Sequence, residues 1–206
     1  MLMLLLTLLP ARAEQWPTWQ LPAPLRPAGS SDLVYPSWFA GNWQLSSQDA
    51  QGFEPELRYP VRFRQLDGAV VGDRAFNAAA VGQALLGPVL LEVSNDPANP
   101  NRQLGRLTGE RLLESTVVAR RSEQEPGTFW ADELSQQVVH QSGSTPRLSQ
   151  VETLSRYQQN ADGSISGEQW QATYPPPGAA LRPRPLRSGH WLLRLEPMAP
   201  ESDRTS

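Results

Sequence analysis

The stretch FAGNWQLS, residues 39–46, decides the fold and follows a proline-rich segment. Within it, Trp43 and Leu45 fall on one side of an extended chain, and the polar residues beside them fall on the other. A period of two is typical of a β-strand with one buried face. The stretch therefore predicts the first long strand of a β-domain.

Turn-bounded segments of the same kind follow along the rest of the chain. They cover residues 41–48, 58–66, 69–72, 88–94, 102–107, 111–120, 128–141, 147–158, 164–174 and 190–195. Their connections are mostly short, as Asp67-Gly68 illustrates, and short connections join antiparallel neighbours. The prediction is an all-β protein, an antiparallel up-and-down β-barrel of about 8–10 strands. A two-sheet sandwich is the alternative.

One helix is predicted, over residues 74–86, after the N-cap residue Asp73 and before Gly87-Pro88. Its apolar face is expected to consist of Phe76, Ala80, Val81, Ala84 and Leu85.

The N-terminal residues indicate export. An apolar run ends at Pro10 and precedes Ala11-Arg12-Ala13, the pattern of a signal peptide with cleavage before Glu14. We therefore expect a signal peptide over 1–13, an extended Pro-rich lead-in over 14–36, the β-barrel domain over 37–197 and a disordered tail over 198–206. No later segment is apolar and long enough to predict a helical membrane span.

Composition excludes several function classes. The 206 residues carry a formal charge of -3 and contain no Cys, which removes disulfides, thiolate nucleophiles and Cys-based metal sites. Basic residues do not cluster with aromatic ones, so we expect no nucleic-acid partner. No glycine-rich phosphate loop is present.

No residue is predicted to be catalytic, and no metal or cofactor is predicted. His140 and His190 are the two histidines, too few for a zinc site without carboxylates from separate strands. Asp132 and Glu133 are adjacent and must point to opposite faces of a strand, whereas Glu152 and Glu168 lie on neighbouring strands and could approach. A Ser-His-acid triad stays open, because its members need not be close in sequence.

The signature Phe39-x-Gly41-x-Trp43 resembles the first-strand motif of lipocalins and other calycins. That resemblance implies that Gly41 permits a sharp turn into the strand and that Trp43 closes the base of the barrel. It also implies that Arg194, in the last strand, stacks on Trp43.

The wider combination of residues 35–43, 73–77 and 152–157 resembles a family of exported cyanobacterial and plastid proteins without an assigned activity. It implies a location in the thylakoid lumen or periplasm.

The mixed strand faces predict a semi-polar lumen that binds a ligand, although poorly packed surface strands would produce the same pattern. An anionic group could also bind at the first helical turn. The candidate ligand-binding residues are Arg74, Asn77, Thr153, Ser155, Tyr157 and Gln171.

The leading hypothesis is a non-catalytic lipocalin-like protein that binds a small amphipathic or hydrophobic ligand, such as a lipid, carotenoid or tetrapyrrole. The alternative is a lumenal interaction or assembly factor for a photosynthetic membrane complex, with a solid-packed barrel.

Overall fold

Twelve β-strands and one α-helix form in the part of the chain that the structure describes. The computed structural model describes residues 25–178 and 185–199. The strands are β1 (Arg26–Pro27), β2 (Val34–Tyr35), β3 (Gly41–Asp49), β4 (Leu57–Leu66), β5 (Ala69–Gly72), β6 (Leu90–Asp96), β7 (Asn99–Leu107), β8 (Arg111–Glu125), β9 (Thr128–Gln141), β10 (Arg147–Gln159), β11 (Ile165–Tyr174) and β12 (Arg187–Pro197), and the helix is α1 (Arg74–Leu86). Short 3-10 turns cover Ser37–Phe39 and Gly87–Val89.

Eleven strands form one antiparallel sheet that curls into a half-barrel. Their order is β2-β5-β4-β3-β12-β11-β10-β9-β8-β7-β6, and β1 adds to β8. The first long strand, β3, pairs with the last, β12. The all-β, up-and-down prediction is confirmed, and the ten longer strands correspond to the ten predicted segments. The lead-in adds the two shortest strands, β1 and β2, which were not predicted.

Helix α1 bridges the open side of the half-barrel. The end strands of the sheet, β2 and β6, are not neighbours in the described residues, and α1 packs against both β4 and β6. The helix bounds agree with the prediction. The described part of the chain contains no helix long and apolar enough to cross a membrane.

The buried face of the helix differs from the predicted one. Ala78, Val81 and Gly82 are buried, whereas Ala84 is exposed. The reason is that α1 contacts strands on two sides, so its buried stripe is displaced toward β6. A Cβ atom at Gly82 would lie 2.5 Å from Leu90 Cδ2, so close packing leaves no room for a side chain at this position.

Asp73 precedes the helix as predicted, but its side chain forms no capping hydrogen bond. Its carboxylate instead lies 2.8 Å from Arg62 Nη2 and 2.6 Å from Arg64 Nη2. Two guanidinium groups on β4 therefore outcompete the helix N–H groups for this side chain, because charge-assisted hydrogen bonds are the stronger ones.

Phe39 is the centre of the aromatic core. The residue has no exposed surface, and its ring lies 4.4 to 5.9 Å from the ring centroids of five other aromatic residues. These neighbours are Tyr35, Trp38, Phe63, Phe129 and Tyr157. The predicted signature thus supplies the residue that joins the lead-in, β4, β9 and β10.

Gly41 and Trp43 lie at the start of the first long strand, β3. Gly41 has a φ of 126°, a conformation that favours glycine. Trp43 is buried and its indole Nε1 donates a hydrogen bond to the carbonyl oxygen of Phe39 at 2.7 Å. The curved half-barrel is compatible with a calycin-like fold.

The predicted stacking of Arg194 on Trp43 is wrong. Leu195 pairs with Leu45 across β12 and β3, and both are buried, so the adjacent Arg194 points to the opposite face from Trp43. The Arg194 guanidinium, 46% exposed, lies 3.1 Å from Asp162 and 3.2 Å from Glu196. Because side chains alternate along β12, the neighbours Arg194 and Leu195 point to opposite faces of the sheet. This arrangement removes the most specific feature of the lipocalin resemblance.

The boundaries predicted for the signal peptide (1–13) and for most of the tail (198–206) fall outside the described residues. The lead-in (14–36) is described from residue 25 onward and contributes β1 and β2.

We expect Phe39→Ala to lower the free energy of unfolding by about 3–5 kcal/mol, because it removes a fully buried ring from a close-packed cluster. Phe53→Ala is the matched control, since Phe53 is 75% exposed, and its change is expected to stay within about 0.5 kcal/mol. Chemical denaturation of both variants measures the difference. Equal effects would contradict the central role of Phe39.

Candidate functional site

A cavity of about 70 Å³ lies on the concave side of the half-barrel. The lead-in, the first turn of α1 and the inner faces of β4, β9 and β10 surround it. The lining residues are Leu33, Tyr35, Leu45, Tyr59, Val61, Phe63, Gly72, Arg74, Asn77, Ala131, Glu133, Thr153, Ser155, Tyr157, Gln169 and Leu195.

Five of the six candidate ligand-binding residues line this cavity. They are Arg74, Asn77, Thr153, Ser155 and Tyr157. The sixth, Gln171, is buried on the neighbouring strand and donates from Nε2 to Thr153 Oγ1 at 3.3 Å. The structure thus brings two separately predicted groups together: the residues from the helix start and those from the β10 and β11 faces.

Strand register explains why these polar residues meet. Thr153 on β10 stands opposite Glu133 on β9 and Gln171 on β11, so the three share the inner face. Several further buried polar residues share the inner face: Ser47, Gln103, Ser115, Gln137, Ser155 and Gln169. The semi-polar lumen is therefore present, and the alternative of poorly packed surface strands does not apply to these positions.

A buried ion cluster forms the polar end of the cavity. Arg74 Nε lies 2.7 Å from Asp32 Oδ1, and Arg74 Nη2 lies 3.2 Å from Glu133 Oε1. Arg120 on β8 contacts the same Glu133 oxygen at 2.9 Å and donates to the carbonyl oxygen of Ser31 at 2.8 Å. Four charged side chains from the lead-in, α1, β8 and β9 thus neutralise one another.

The cluster shifts the pKa values of Glu133 and Arg74. Burial alone would raise the pKa of Glu133, but nearby positive charges, of which Arg74 has the largest effect and Arg120 is another, lower it from 4.5 to about 2. Burial would lower the pKa of Arg74, whereas Glu133 and Asp32 raise it above its ordinary value. Both side chains are therefore charged at neutral pH.

The predicted anion site at the start of α1 is occupied by groups of the protein. Arg74 faces the carboxylates of Asp32 and Glu133. Asn77 Oδ1 accepts a hydrogen bond from the Arg62 backbone N–H at 2.7 Å, and Asn77 Nδ2 donates to the Arg62 carbonyl at 3.0 Å. Asn77 therefore fastens the helix to β4, and Arg74 fastens it to β9.

Sequence reasoning missed Asp32, Glu133 and the cavity tyrosines Tyr35 and Tyr59. The sequence held an indication only for Glu133. Glu133 and its neighbour Asp132 must point to opposite faces of the strand, so one of these two acids must face inward. Asp32 lies 42 residues before Arg74 in an irregular segment, and no periodicity indicates such a contact.

Glu152 and Glu168, which lie on neighbouring strands and could have approached each other, do not form a pair. Glu168 stands opposite Arg156 in the register and lies 2.7 Å from its guanidinium and 2.9 Å from His190 Nε2. Glu152 accepts a hydrogen bond from the Tyr174 hydroxyl at 2.7 Å. Arg156, the residue opposite Glu168, is four residues away from Glu152 on β10. The two carboxylates are therefore apart, and each has its own partner.

The two histidines lie apart, on different strands. His190 stacks on Trp170 at 3.8 Å between ring centroids, and His140 Nε2 lies 3.7 Å from Glu114. No group of three or more metal-ligating side chains occurs in residues 25–178 and 185–199.

Asp132 differs electrostatically from its neighbour Glu133. It lies on the outer face, opposite Leu154 on β10 and Arg121 on β8. Burial, with the nearby Glu152 and Glu133 carboxylates, raises the pKa of Asp132 to about 7, although Arg121 opposes the shift.

We expect Glu133→Gln to lower the free energy of unfolding at pH 7 by about 3–5 kcal/mol, because Arg74 and Arg120 lose their shared anion. Since the pKa of Glu133 falls from 4.5 to about 2, its ionic stabilisation is complete above pH 4.5 and is lost as the pH falls toward 2. The difference between wild type and variant should therefore shrink by about 3 kcal/mol between pH 5 and pH 2. Denaturation curves at several pH values measure it.

Glu92→Gln is the control for Glu133→Gln, since Glu92 forms an exposed ion pair with Arg106. Its effect should stay below about 1 kcal/mol at every pH. A constant difference between wild type and Glu133→Gln from pH 7 to pH 2 would contradict the assigned role.

We expect Asp132→Asn to stabilise the protein by about 1–3 kcal/mol at pH 8, because it removes a partly buried carboxylate near two other acids. The pKa of Asp132 rises from 3.8 to about 7, so its cost is absent below pH 3.8 and grows as the pH rises through 7. The gain should therefore disappear at pH 4. Asp67→Asn, in an exposed turn, is the control, and a gain that does not depend on pH would count against the raised pKa.

No curated protein and no solved structure matches this chain. Residues 45–181 match the family described as Domain of unknown function (DUF6816), and this range covers β4 to β11, α1 and most of the cavity wall. The chain belongs to the DUF6816 family.

Proposed function

We propose that this protein is a non-catalytic binding protein whose half-barrel cavity holds a small amphipathic ligand. The proposal rests on the lining of the cavity, which has apolar side chains on one side and hydroxyl groups on another. Leu45, Val61 and Leu195, from β3, β4 and β12, supply an apolar wall, while Thr153 and Ser155 supply hydroxyl groups from β10. Ligand sites commonly combine an apolar lining with a few convergent polar groups.

The polar end offers neutral hydrogen-bonding groups rather than free charge. Arg74 and Glu133 neutralise each other within the ion cluster, and Asn77 is bonded to the β4 backbone. Burial raises the pKa values of Tyr35 and Tyr157, so both phenols stay protonated. A ligand with a neutral polar group, such as a hydroxyl, carbonyl or amide, matches this lining better than a charged one.

The cavity volume limits the ligand. About 70 Å³ is well below the roughly 300–1,000 Å³ of sites for drug-sized molecules. A whole lipid, carotenoid or tetrapyrrole would need the lead-in over residues 25–36 to move, whereas a small molecule or the head of a larger one fits the closed form.

The same small volume favours a second candidate, an interaction or assembly factor with a packed barrel. In that function the aromatic cluster around Phe39 would serve stability alone, and the outer surface would contact a membrane complex.

We also propose that the protein acts after export, in the thylakoid lumen or periplasm. This rests on the apolar N-terminal run with its A-x-A site and on the resemblance of residues 35–43, 73–77 and 152–157. Fractionation of the native host, with an antibody to this chain, tests it.

Native mass spectrometry of the protein purified from an exporting host tests the ligand proposal. Wild type should carry an additional small mass that organic solvent extracts. Tyr157→Phe keeps the ring and removes the cavity hydroxyl, so occupancy should fall about 5–10-fold if that hydroxyl contacts the ligand. Ser155→Leu fills the cavity and should abolish binding.

Tyr174→Phe is the matched control, because the Tyr174 hydroxyl serves Glu152 on the outer face. It should retain the ligand at the wild-type level. A wild-type protein without any additional mass, or equal loss in both tyrosine variants, would contradict the lumen site. The former result, together with a specific membrane-complex partner in pull-downs, would favour the assembly factor.

A further inference from the structure

Three of the chain's four tyrosines line the cavity on the concave side of the half-barrel. They are Tyr35 on β2, Tyr59 on β4 and Tyr157 on β10, so the phenols come from three separate strands. The fourth, Tyr174, donates its hydroxyl hydrogen to Glu152 on the outer face. Because a buried tyrosine hydroxyl usually has a hydrogen-bond partner, the surroundings of the three cavity hydroxyls indicate which ligand atom the cavity suits.

The hydroxyl groups of Tyr35 and Tyr59 form no hydrogen bond with any group in residues 25–178 and 185–199. Tyr59 is only 5% exposed, yet its side chain lines the cavity. Burial is the largest of the effects that raise the pKa values of both phenols, so both hydroxyl groups keep their hydrogens. Each of them can therefore gain a hydrogen bond from a ligand atom inside the cavity.

Tyr157 lies close to both of these phenols. Its ionisation would disfavour that of Tyr35 and of Tyr59, and it contributes to the raised pKa of each. Its ring is placed by Gly167 on β11, where a Cβ atom would lie 2.9 Å from Tyr157 Cδ1. The lack of a side chain at Gly167 thus lets the Tyr157 ring lie against β11. The three hydroxyl groups therefore face the same part of the cavity.

The cavity phenols offer hydrogens to a ligand rather than lone pairs. The Ser155 hydroxyl lowers the pKa of Tyr157 against the effect of burial, as a donor to the Tyr157 oxygen does. The hydrogen of Tyr157 is then left to donate. The buried carboxylate of Glu133 is already contacted by Arg74 at 3.2 Å and by Arg120 at 2.9 Å. The chemical complement of the phenols is thus a neutral oxygen that accepts more than one hydrogen bond.

A carbonyl oxygen meets this requirement best. It has two lone pairs and no hydrogen of its own, so it needs no acceptor from the cavity. A carboxylate would instead bring an uncompensated charge into a buried site whose ion cluster is already neutral. The carbonyl substituents would contact the apolar wall of Leu45, Val61 and Leu195. A water molecule, which needs about two to four polar partners, gains nothing from that wall.

The volume sets the size of the carbonyl compound. A cavity of about 150 Å³ holds benzene, so one of about 70 Å³ holds a molecule of about half that size. A ketone or aldehyde of about four non-hydrogen atoms is in this range.

We propose that the cavity binds a small ketone or aldehyde whose carbonyl oxygen accepts hydrogen bonds from Tyr35, Tyr59 and Tyr157. This inference rests on the proposed binding function and adds to it the class of ligand and the residues that select it. Tyr35 and Tyr59 determine specificity, because their hydroxyl groups have no other partner in the described residues. Tyr35 also belongs to the segment that covers the cavity, so the cover itself takes part in recognition.

Titration of the full mature chain with carbonyl-¹³C acetone, followed by NMR, tests the proposal. A carbonyl carbon moves downfield when its oxygen accepts hydrogen bonds, so the resonance of bound acetone should lie downfield of that of free acetone. Tyr35→Phe and Tyr59→Phe each keep the ring and remove one donor. Each should raise the acetone Kd about 3–10-fold and reduce the downfield shift.

Isobutene separates the loss of a donor from a change in cavity shape. It has the shape of acetone with a CH₂ group in place of the oxygen, and its Kd should stay within twofold of the wild-type value, or fall, in Tyr35→Phe and Tyr59→Phe. Tyr174→Phe is the matched control, because its hydroxyl serves Glu152 on the outer face. It should leave the Kd of acetone within twofold of wild type and the carbonyl shift unchanged.

The proposal fails if acetone does not bind, if bound acetone shows no downfield shift, or if Tyr35→Phe and Tyr59→Phe behave like Tyr174→Phe. An equal rise in the Kd values of acetone and isobutene in these variants would also overturn it, since only the cavity shape would then have changed. A native ligand without a carbonyl group would overturn the ligand class and leave the binding function standing. The lack of both a bound mass and acetone binding would overturn both.

Discussion

The ion pair between Arg74 and Glu133 is the constraint on which the rest of the structure depends. A buried charge is tolerated only when an opposite charge and hydrogen bonds compensate it. Glu133 points inward from β9, so a cation must reach it, and Arg74 does so only if α1 begins over the cavity. Asp32 then completes the coordination of Arg74 and brings the lead-in onto the concave face. The helix that bridges the open side and the segment that covers the cavity are thus positioned by the same pair of charges.

The parts of this arrangement that follow from local sequence could be predicted, because strand periodicity is local information. Alternation located the ten longer strands, and Asp73 with Gly87-Pro88 located both ends of α1. The same alternation placed Thr153, Ser155 and Tyr157 on one face of β10, and the register confirms that this face lines the cavity. The face to which a side chain points follows from its position along its own strand, so no knowledge of the partner strand is needed.

The choice among long-range partners could not be predicted. Asp73 is close in sequence to the helix N–H groups, yet its side chain pairs with Arg62 and Arg64 on β4. Arg194 was assigned to Trp43 by resemblance, yet the register of β12 directs it to Asp162. In each case several opposite charges or aromatic rings are within plausible reach of one flexible side chain, and only the packed strands decide which of them it meets.

The same long-range contacts limit what can enter the lumen. The lead-in is held by the pairing of β1 with β8, by the Ala28 N–H bond to the Val118 carbonyl and by the ion pair of Asp32 with Arg74. Releasing this segment would leave Arg74 and Arg120 with fewer partners in a buried site, and uncompensated buried charge typically costs about 3–5 kcal/mol. A large ligand would have to compensate that cost before gaining affinity, whereas a small one that fits the closed cavity would not. The energetics of the ion cluster therefore favour a small occupant over a whole lipid or pigment.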